Sequence, residues 1–111
     1  MPLPSDVVFL PSPFTGLSAS KRRPVLVLKE GNAQGDFLAV QITSQTRYLP
    51  ALSLVAADFE LGGLPKDSIG RPDKVFTLNE SLIVRRVGKL TSLGFSRVLA
   101  AVCQQLGCLE P

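Results

Sequence analysis

The apolar residues of this chain come in short runs, and Pro or Gly closes most of these runs. The first is "DVVFL" at residues 6–10, which is followed by Pro11 and Pro13. Runs of about five residues that are rich in Val, Leu and Phe are typical of buried strands and too short for helices. This pattern of short apolar runs closed by Pro or Gly therefore predicts a small, mainly β fold.

Several later segments have the same character. We predict strands at 24–30, 37–44, 51–56, 68–79 and 81–91. The hexapeptide "GNAQGD" separates the first two of these, so they should pair as a hairpin. Pro72 interrupts "SIGRPDKVFTLN", which indicates an edge position or a bulge. The intervening "ADFELGGLPKDS" is dense in Gly and Pro and is predicted to be a connection.

The last segment has a different period. In "SLGFSRVLAAVCQQLG" the apolar residues recur at steps of three and four, at Phe95, Val98, Leu99, Val102 and Leu106. This spacing predicts one amphipathic helix that starts at Ser92 or Ser96 and ends at Gly107.

Five or six strands and one terminal helix predict a small half-open β-barrel with the helix packed against it. We expect residues 1–111 to form a single domain, because no linker or repeat divides them. No apolar run approaches the roughly 20 residues that span a bilayer. The start "MPLPSDVVFL" lacks the basic and apolar regions of a signal peptide, so we expect a soluble protein of the cytoplasm.

Composition excludes several kinds of active site. The chain has no His and two Cys, so it cannot supply the four N or S ligands of a structural zinc site. Without His, the usual general base and the Ser-His and Cys-His nucleophile pairs are also missing. The carboxylates show no paired spacing, and we predict neither a metal nor a cofactor. Cys103 and Cys108 are predicted to be free thiols.

The positive residues are clustered, although the formal net charge is only +3. Lys21, Arg22 and Arg23 end a 13-residue segment, "PSPFTGLSASKRR", which we interpret as a loop. Loops longer than about 12 residues in a compact domain are usually functional or disordered. The three cations are either a solvated turn or a phosphate-binding site held by the strand that follows.

A second polar cluster, "QITSQTR" at 41–47, follows the other strand of the predicted hairpin. By itself it is typical of a turn in which hydroxyl groups bond to nearby backbone. The hairpin, however, places Arg23 and Thr43 at the same end of the sheet. The cations of "RRVGK" at 85–89 form either the solvent face of a strand or additional RNA contacts. Phe14 either stacks on a nucleobase or packs in the core.

Taken together, three blocks resemble the MazF/PemK family of toxin endoribonucleases. They are "DVVFLPSPFTGLSASKRRPVLVL", "VQITSQ" and "DKVFTLNESLIVRRVGKL", followed by the terminal helix, and the resemblance runs from about residue 5 to 107. It implies an SH3-like barrel, a homodimer, and cleavage of single-stranded RNA or mRNA, usually at a short sequence and without a metal. It also implies a cognate antitoxin that lays a flexible segment in the substrate groove.

The resemblance also assigns roles to residues. The family's catalytic arginine, in an "RP" step, corresponds to Arg23, and its threonine, in an "IT" step, corresponds to Thr43. The family's initial Gly-Asp is Ser5-Asp6 here, and a glutamate often found in the first loop is replaced by Ser18. Residues predicted to bind and position the RNA are Lys21, Arg22, Ser44, Gln45, Arg47 and Phe14.

The chemistry of RNA agrees with such a pair. The ribose 2'-hydroxyl can attack the adjacent phosphate itself, so the protein has to orient the attack and stabilise negative charge. Because arginine holds its proton tightly, Arg23 is assigned to charge stabilisation, and proton transfer by it stays open. Thr43 is assigned to a hydrogen bond with the scissile phosphate.

An alternative belongs to a different functional class. A barrel of the same shape could bind nucleic acid, or a protein target such as DNA gyrase, without cutting anything, because fold alone does not determine function. The pair of Arg23 and Thr43 at one end of the sheet distinguishes the two hypotheses, since a pure binding module does not require it.

Overall fold

A computed structural model of the chain describes residues 2–11, 22–45 and 49–108. Within them the chain forms seven strands and one helix: β1 Asp6–Pro11, β2 Arg22–Lys29, β3 Asp36–Thr43, β4 Leu52–Leu54, β5 Phe59–Gly62, β6 Ser68–Asn79, β7 Arg85–Leu90 and α1 Ser92–Leu106. All neighbouring strands pair antiparallel in the order β4-β6-β3-β2-β1-β7-β5. The predicted mainly β half-barrel with a C-terminal helix is confirmed.

The hairpin of β2 and β3 lies at the centre of the sheet. Val25 pairs with Gln41, and Leu26 pairs with Val40. In the turn, the Asn32 side-chain oxygen accepts the backbone N–H groups of Gln34 and Asp36, each at 3.0 Å. These bonds close the turn, so the predicted hairpin is confirmed.

Pro72 occupies a bulge in β6. Val40 pairs with Val75, whereas the next residue of β3, Gln41, pairs with Arg71, so the residues between Arg71 and Val75 have no direct partner on β3. A proline, which has no N–H to donate, fits such a site. The bulge is therefore the correct alternative, and the first residues of β6 lie between β3 and β4.

The prediction of a plain connection at 57–68 was wrong, because a 3-10 turn at Ala56–Asp58 is followed by the edge strand β5. Gly62 has a φ of 61°, and a Cβ atom built on it would lie 2.1 Å from the carbonyl oxygen of Val87. The glycine therefore permits the close approach of β5 to β7. This strand raises the number from the predicted five or six to seven.

Two apolar clusters lie on opposite faces of the sheet. One packs under α1 and contains Val7, Leu26, Val40, Ile42, Leu54, Leu90, Val98 and Val102. The other contains Val8, Leu10, Val25, Val27, Phe37, Ala39 and Leu78. Because successive side chains of a strand alternate between faces, the middle parts of β1, β2 and β3 are buried on both faces, and each contains an uninterrupted apolar run.

Helix α1 begins at Ser92, and Thr91 caps it by accepting the backbone N–H of Gly94 at 3.0 Å. Gly107 ends the helix in the left-handed conformation with a φ of 73°, as predicted. Val98 and Val102 are buried against the sheet, but Leu99 and Leu106 of the predicted apolar face are exposed, so the packed face is narrower than expected.

Cys103 and Cys108 are thiols, as predicted. Among the residues that the structure describes, no helix is both long enough and apolar enough to cross a bilayer.

Candidate functional site

A cavity of about 160 Å³ lies where the chain enters β2 and leaves β3. The connection between β5 and β6 also borders this cavity. The residues that line it are Phe9, Arg22, Arg23, Pro24, Ile42, Thr43, Ser44, Leu64, Pro65, Lys66 and Ser68.

The register of the central hairpin explains why Arg23 and Thr43 meet there. Val25 pairs with Gln41, and the same register continued by two residues places Arg23 opposite Thr43. Neighbouring strands are about 4.8 Å apart. The two residues therefore lie at one end of the sheet and line one cavity, while their catalytic roles stay a prediction.

Residues from both faces of the sheet contribute to this cavity. Phe9 of β1 pairs with Pro24 of β2, so their side chains share one face of the sheet. Arg22 lies two residues before Pro24 on β2 and therefore belongs to the same face. Arg23 pairs with Leu10 and so belongs to the opposite face. Because both kinds of residue line the cavity, it extends around the ends of the strands rather than lying on one face.

Thr43 is half-buried, and its hydroxyl is held in place by the backbone that follows β3. Its Oγ1 accepts the backbone N–H of Gln45 at 3.1 Å. This bond uses the oxygen as an acceptor, so the hydroxyl hydrogen can be donated to another group. In the strand that pairs with Thr43, Ser68 Oγ donates to the carbonyl of Lys66 at 3.0 Å and fixes the loop before β6.

The charge of the lining is positive. Arg22, Arg23 and Lys66 line the cavity, and no Asp or Glu is among its described lining residues. Within the described part of the chain, none of these three cations takes part in an ion pair. Guanidinium and ammonium groups without acidic partners are the groups that bind phosphate. The cavity is therefore suited to a phosphodiester.

A larger cavity lies elsewhere and has a different charge. It measures about 630 Å³ and is bordered by Asp6, Glu80 and Arg86, among others. Arg86 Nη1 lies 3.5 Å from Asp6 Oδ1, so its charge is already compensated. The carboxylate of Glu80 then leaves the border with a net negative charge, which disfavours phosphate, and we therefore place the candidate site in the smaller, positively charged cavity.

The structure describes only some of the other predicted site residues. Arg22 and Ser44 line the cavity, and Gln45 is exposed beside it. Phe14, Lys21 and Arg47 lie outside the described residues, as does Ser18. Across residues 2–11, 22–45 and 49–108, no three His, Cys, Asp or Glu side chains come together in a way that could hold a metal ion.

Sequence reasoning missed Phe9, Lys66 and Ser68. Phe9 was assigned to the buried first strand, and Lys66 and Ser68 to the connection before β6. The available signal was the segment "GGLPKDS", a polar stretch with one cation, and such loops often contribute to binding sites. Nothing local in the sequence shows that it folds onto the end of β2 and β3.

Comparison with known proteins gives one consistent family. The family model described as "PemK-like, MazF-like toxin of type II toxin-antitoxin system" matches residues 4–106. Comparison with curated proteins finds no match.

Solved structures share the fold at low sequence identity. A MazF crystal structure from Deinococcus radiodurans is 23% identical with a TM-score of 0.74, and 96% of each chain is covered. The Mycobacterium tuberculosis toxin MazF-mt6 is 18% identical with a TM-score of 0.73, over 95% of this chain and 99% of that one.

A third similar structure is described as an endoribonuclease in complex with its cognate antitoxin, from a mycobacterial species. It is 19% identical with a TM-score of 0.72, over 99% of this chain and 97% of that one. The TM-scores establish the shared fold, and the family model, which spans nearly the whole sequence, establishes the family. The protein belongs to the PemK-like, MazF-like toxins of type II toxin-antitoxin systems.

Proposed function

We propose that this protein is an endoribonuclease toxin that cuts single-stranded RNA, including mRNA, at a short preferred sequence and without a metal. The observation that carries the proposal is the convergence of Arg23 and Thr43 on one cavity whose described lining has no acidic residue. The similar mycobacterial structure described as an endoribonuclease supports the same reaction.

The proposed reaction uses the nucleophile that RNA itself contains. The ribose 2'-oxygen attacks the adjacent phosphorus, the bond from phosphorus to the 5'-oxygen breaks, and a 2',3'-cyclic phosphate forms. Water takes the proton from the 2'-hydroxyl, and water also gives a proton to the departing 5'-oxygen, which becomes a hydroxyl. The protein has two tasks, which are to align these atoms and to stabilise the extra negative charge on the phosphate.

Arg23 stabilises that charge. Its guanidinium can donate two parallel N–H groups to the non-bridging phosphate oxygens, which a lysine cannot do. The residue is half-buried and pairs with Leu10 of β1, so its backbone is fixed by the sheet. A cation on a fixed backbone has less freedom to reorganise as the transition state forms, which favours electrostatic catalysis.

Thr43 donates its hydroxyl hydrogen to the same phosphate. The bond from the Gln45 backbone N–H to its Oγ1 holds the hydroxyl oxygen at 3.1 Å and directs the remaining hydrogen elsewhere. Arg22, Ser44, Gln45 and Lys66 then position the RNA around the reacting phosphate. Lys21, Arg47 and Phe14, which lie outside the described residues, are proposed for the same task from the sequence.

A cognate antitoxin is the second proposed partner. The similar complex of an endoribonuclease with its cognate antitoxin provides the precedent. We propose that an acidic, partly apolar segment of the antitoxin occupies the positively charged cavity and excludes RNA. The active form is proposed to be a homodimer of single-domain chains that acts in the cytoplasm.

The proposal is tested by incubating the purified protein with a long unstructured RNA in EDTA and mapping the ends of the fragments. We expect discrete cuts by the wild type, and loss of cutting in Arg23→Gln and Thr43→Val. The matched controls are Arg97→Gln on α1 and Thr77→Val on β6, neither of which lines the cavity. Both controls should cut like the wild type.

Two results would contradict the proposal in different ways. Intact RNA with the wild type would favour the non-catalytic barrel that binds nucleic acid or a protein such as DNA gyrase. Cutting that requires added Mg²⁺ would keep a nuclease but remove the mechanism based on Arg23 and Thr43.

A further inference from the structure

A second cationic group lies next to the candidate cavity, on the side away from Thr43. Arg85 of β7 pairs with Phe9 of β1, and its guanidinium carbon is 5.4 Å from the centroid of the Phe9 ring. This distance is within the range of a cation–π interaction. Phe9 itself lines the cavity. The Phe9 ring thus lies between the cavity and Arg85, a residue that is distant from Phe9 in the sequence.

The start of β7 is fixed against β1 at this point. The backbone N–H of Val84 donates to the carbonyl of Phe9 at 2.8 Å, directly before Arg85. Phe9 also pairs with Pro24 on its other side, so Arg85, Phe9 and Pro24 form a row across three neighbouring strands. At about 4.8 Å per strand, the backbone of β7 lies about 10 Å from that of β2. Arg85 shares the face of Phe9, whereas Arg23 belongs to the opposite face, so we expect Arg85 to meet the phosphate of a neighbouring nucleotide rather than the one at Arg23 and Thr43.

The charge of Arg85 is available for a ligand. The residue is exposed, and among the described residues it forms no ion pair. A guanidinium has five N–H donors, so a contact with one ring leaves donors that can bind a phosphate oxygen. The ring therefore restricts the position of Arg85 without using up its hydrogen-bonding capacity.

The next residue, Arg86, lies on the other face of the sheet and forms an ion pair. It pairs with Val8 in the sheet, belongs to the other face, and borders the larger cavity. Its Nη1 atom lies 3.5 Å from the buried carboxylate of Asp6. Arg85 and Arg86 carry the same charge and differ in their surroundings. Arg86 is therefore a matched control for Arg85.

We propose that Arg85 is a further RNA-binding residue, held by the Phe9 ring, that contacts the phosphate of a nucleotide next to the one that is cut. This inference rests on the proposed ribonuclease function and extends its binding site to β7. The sequence alone leaves a solvent-exposed face and additional RNA contacts as alternatives for "RRVGK" and does not separate its residues. The structure separates Arg85 from the rest of that segment.

The test compares Arg85→Gln with Arg86→Gln, which remove the same charge. Binding is measured by fluorescence anisotropy with an RNA oligonucleotide made uncleavable by a 2'-deoxy nucleotide at the cut site. We expect Arg85→Gln to weaken binding about 3- to 10-fold at low salt and to reduce the salt slope of log K by about 0.7, which corresponds to one contact with a single-stranded phosphate. We expect Arg86→Gln to change neither quantity.

The role of the ring is tested by Phe9→Leu and by the double variant Phe9→Leu/Arg85→Gln. If the ring acts through Arg85, the single Phe9 variant weakens binding, and the double variant binds no more weakly than Arg85→Gln. Cleavage of the natural RNA by Arg85→Gln should show a raised KM and an unchanged kcat, since the contact is made before and during the reaction alike. Thermal melts verify that each variant is folded.

The outcomes separate the two proposals. If the wild type cuts RNA but Arg85→Gln and Arg86→Gln bind and cut equally, the inference about Arg85 is overturned and the nuclease stands. If the wild type neither cuts nor binds RNA, the proposed function and the inference that rests on it are both overturned.

Discussion

The hydroxyl of Thr43 can be removed at little cost to the fold, which makes its proposed chemical role measurable. Thr43→Val keeps the shape of the side chain and loses the bond from the Gln45 backbone N–H at 3.1 Å. Gln45 is exposed, so its N–H then bonds to water, and we expect a loss of about 0.5–1 kcal/mol in the free energy of unfolding.

The expected effect on the reaction is much larger. Removal of one donor that stabilises transition-state charge typically lowers kcat by about 10²- to 10³-fold. A loss of stability of about 1 kcal/mol leaves a domain of ordinary stability almost wholly folded, so it cannot account for such a decrease. Thr43→Ser retains the hydroxyl and should keep most of the activity.

The assay combines initial cleavage rates at saturating RNA with thermal melts of the same preparations. Thr77→Val, an exposed threonine of β6, is the control for loss of a threonine hydroxyl from a strand. The reasoning is refuted if Thr43→Val cuts within about threefold of the wild-type rate, or if Thr43→Ser is as inactive as Thr43→Val.

Three further predictions concern the cavity and the fold. Lys66→Gln should reduce the salt slope of RNA binding by about 0.7, and an unchanged slope would show that the loop before β6 does not contact phosphate. Gly62→Ala should lower the free energy of unfolding by about 2–4 kcal/mol in a denaturant titration, because its Cβ atom would collide with the Val87 carbonyl at a φ of 61°. The adjacent Gly63→Ala, with no atom within 4 Å of a built Cβ, should cost less than about 1 kcal/mol, and equal losses would contradict this reasoning. Val98→Ala should cost about 2–3 kcal/mol because Val98 is buried in the core under α1, and a loss below about 0.5 kcal/mol would show that the helix is not packed there.

The central part of the fold could be predicted from the sequence because local signals agree with one another there. Apolar runs, the "GNAQGD" turn and the helical period each depend on near neighbours in the chain. The edge strand β5 could not be predicted in this way. It exists because Gly62 and Gly88 allow β5 and β7 to approach closely, and that pairing joins distant parts of the sequence.

The same distinction applies to the site. Arg23 and Thr43 lie in one hairpin, so the register of two adjacent strands is enough to bring them together. Lys66 reaches the cavity through the loop after β5, and Arg85 reaches Phe9 through the pairing of β1 with β7. Neither contact has a local signature, which explains why the sequence indicated the centre of the site and omitted its borders.

The measurement that tests the central claim most directly replaces a single ribose at a mapped cut site with 2'-deoxyribose and analyses the ends. If RNA supplies the nucleophile, the wild type leaves a 2',3'-cyclic phosphate and a 5'-hydroxyl on natural RNA, and the deoxy substitution abolishes that cut alone. Cleavage at the deoxy position at the normal rate, or a 5'-phosphate on the downstream fragment, would contradict the claim that Arg23 and Thr43 align a reaction of the ribose itself.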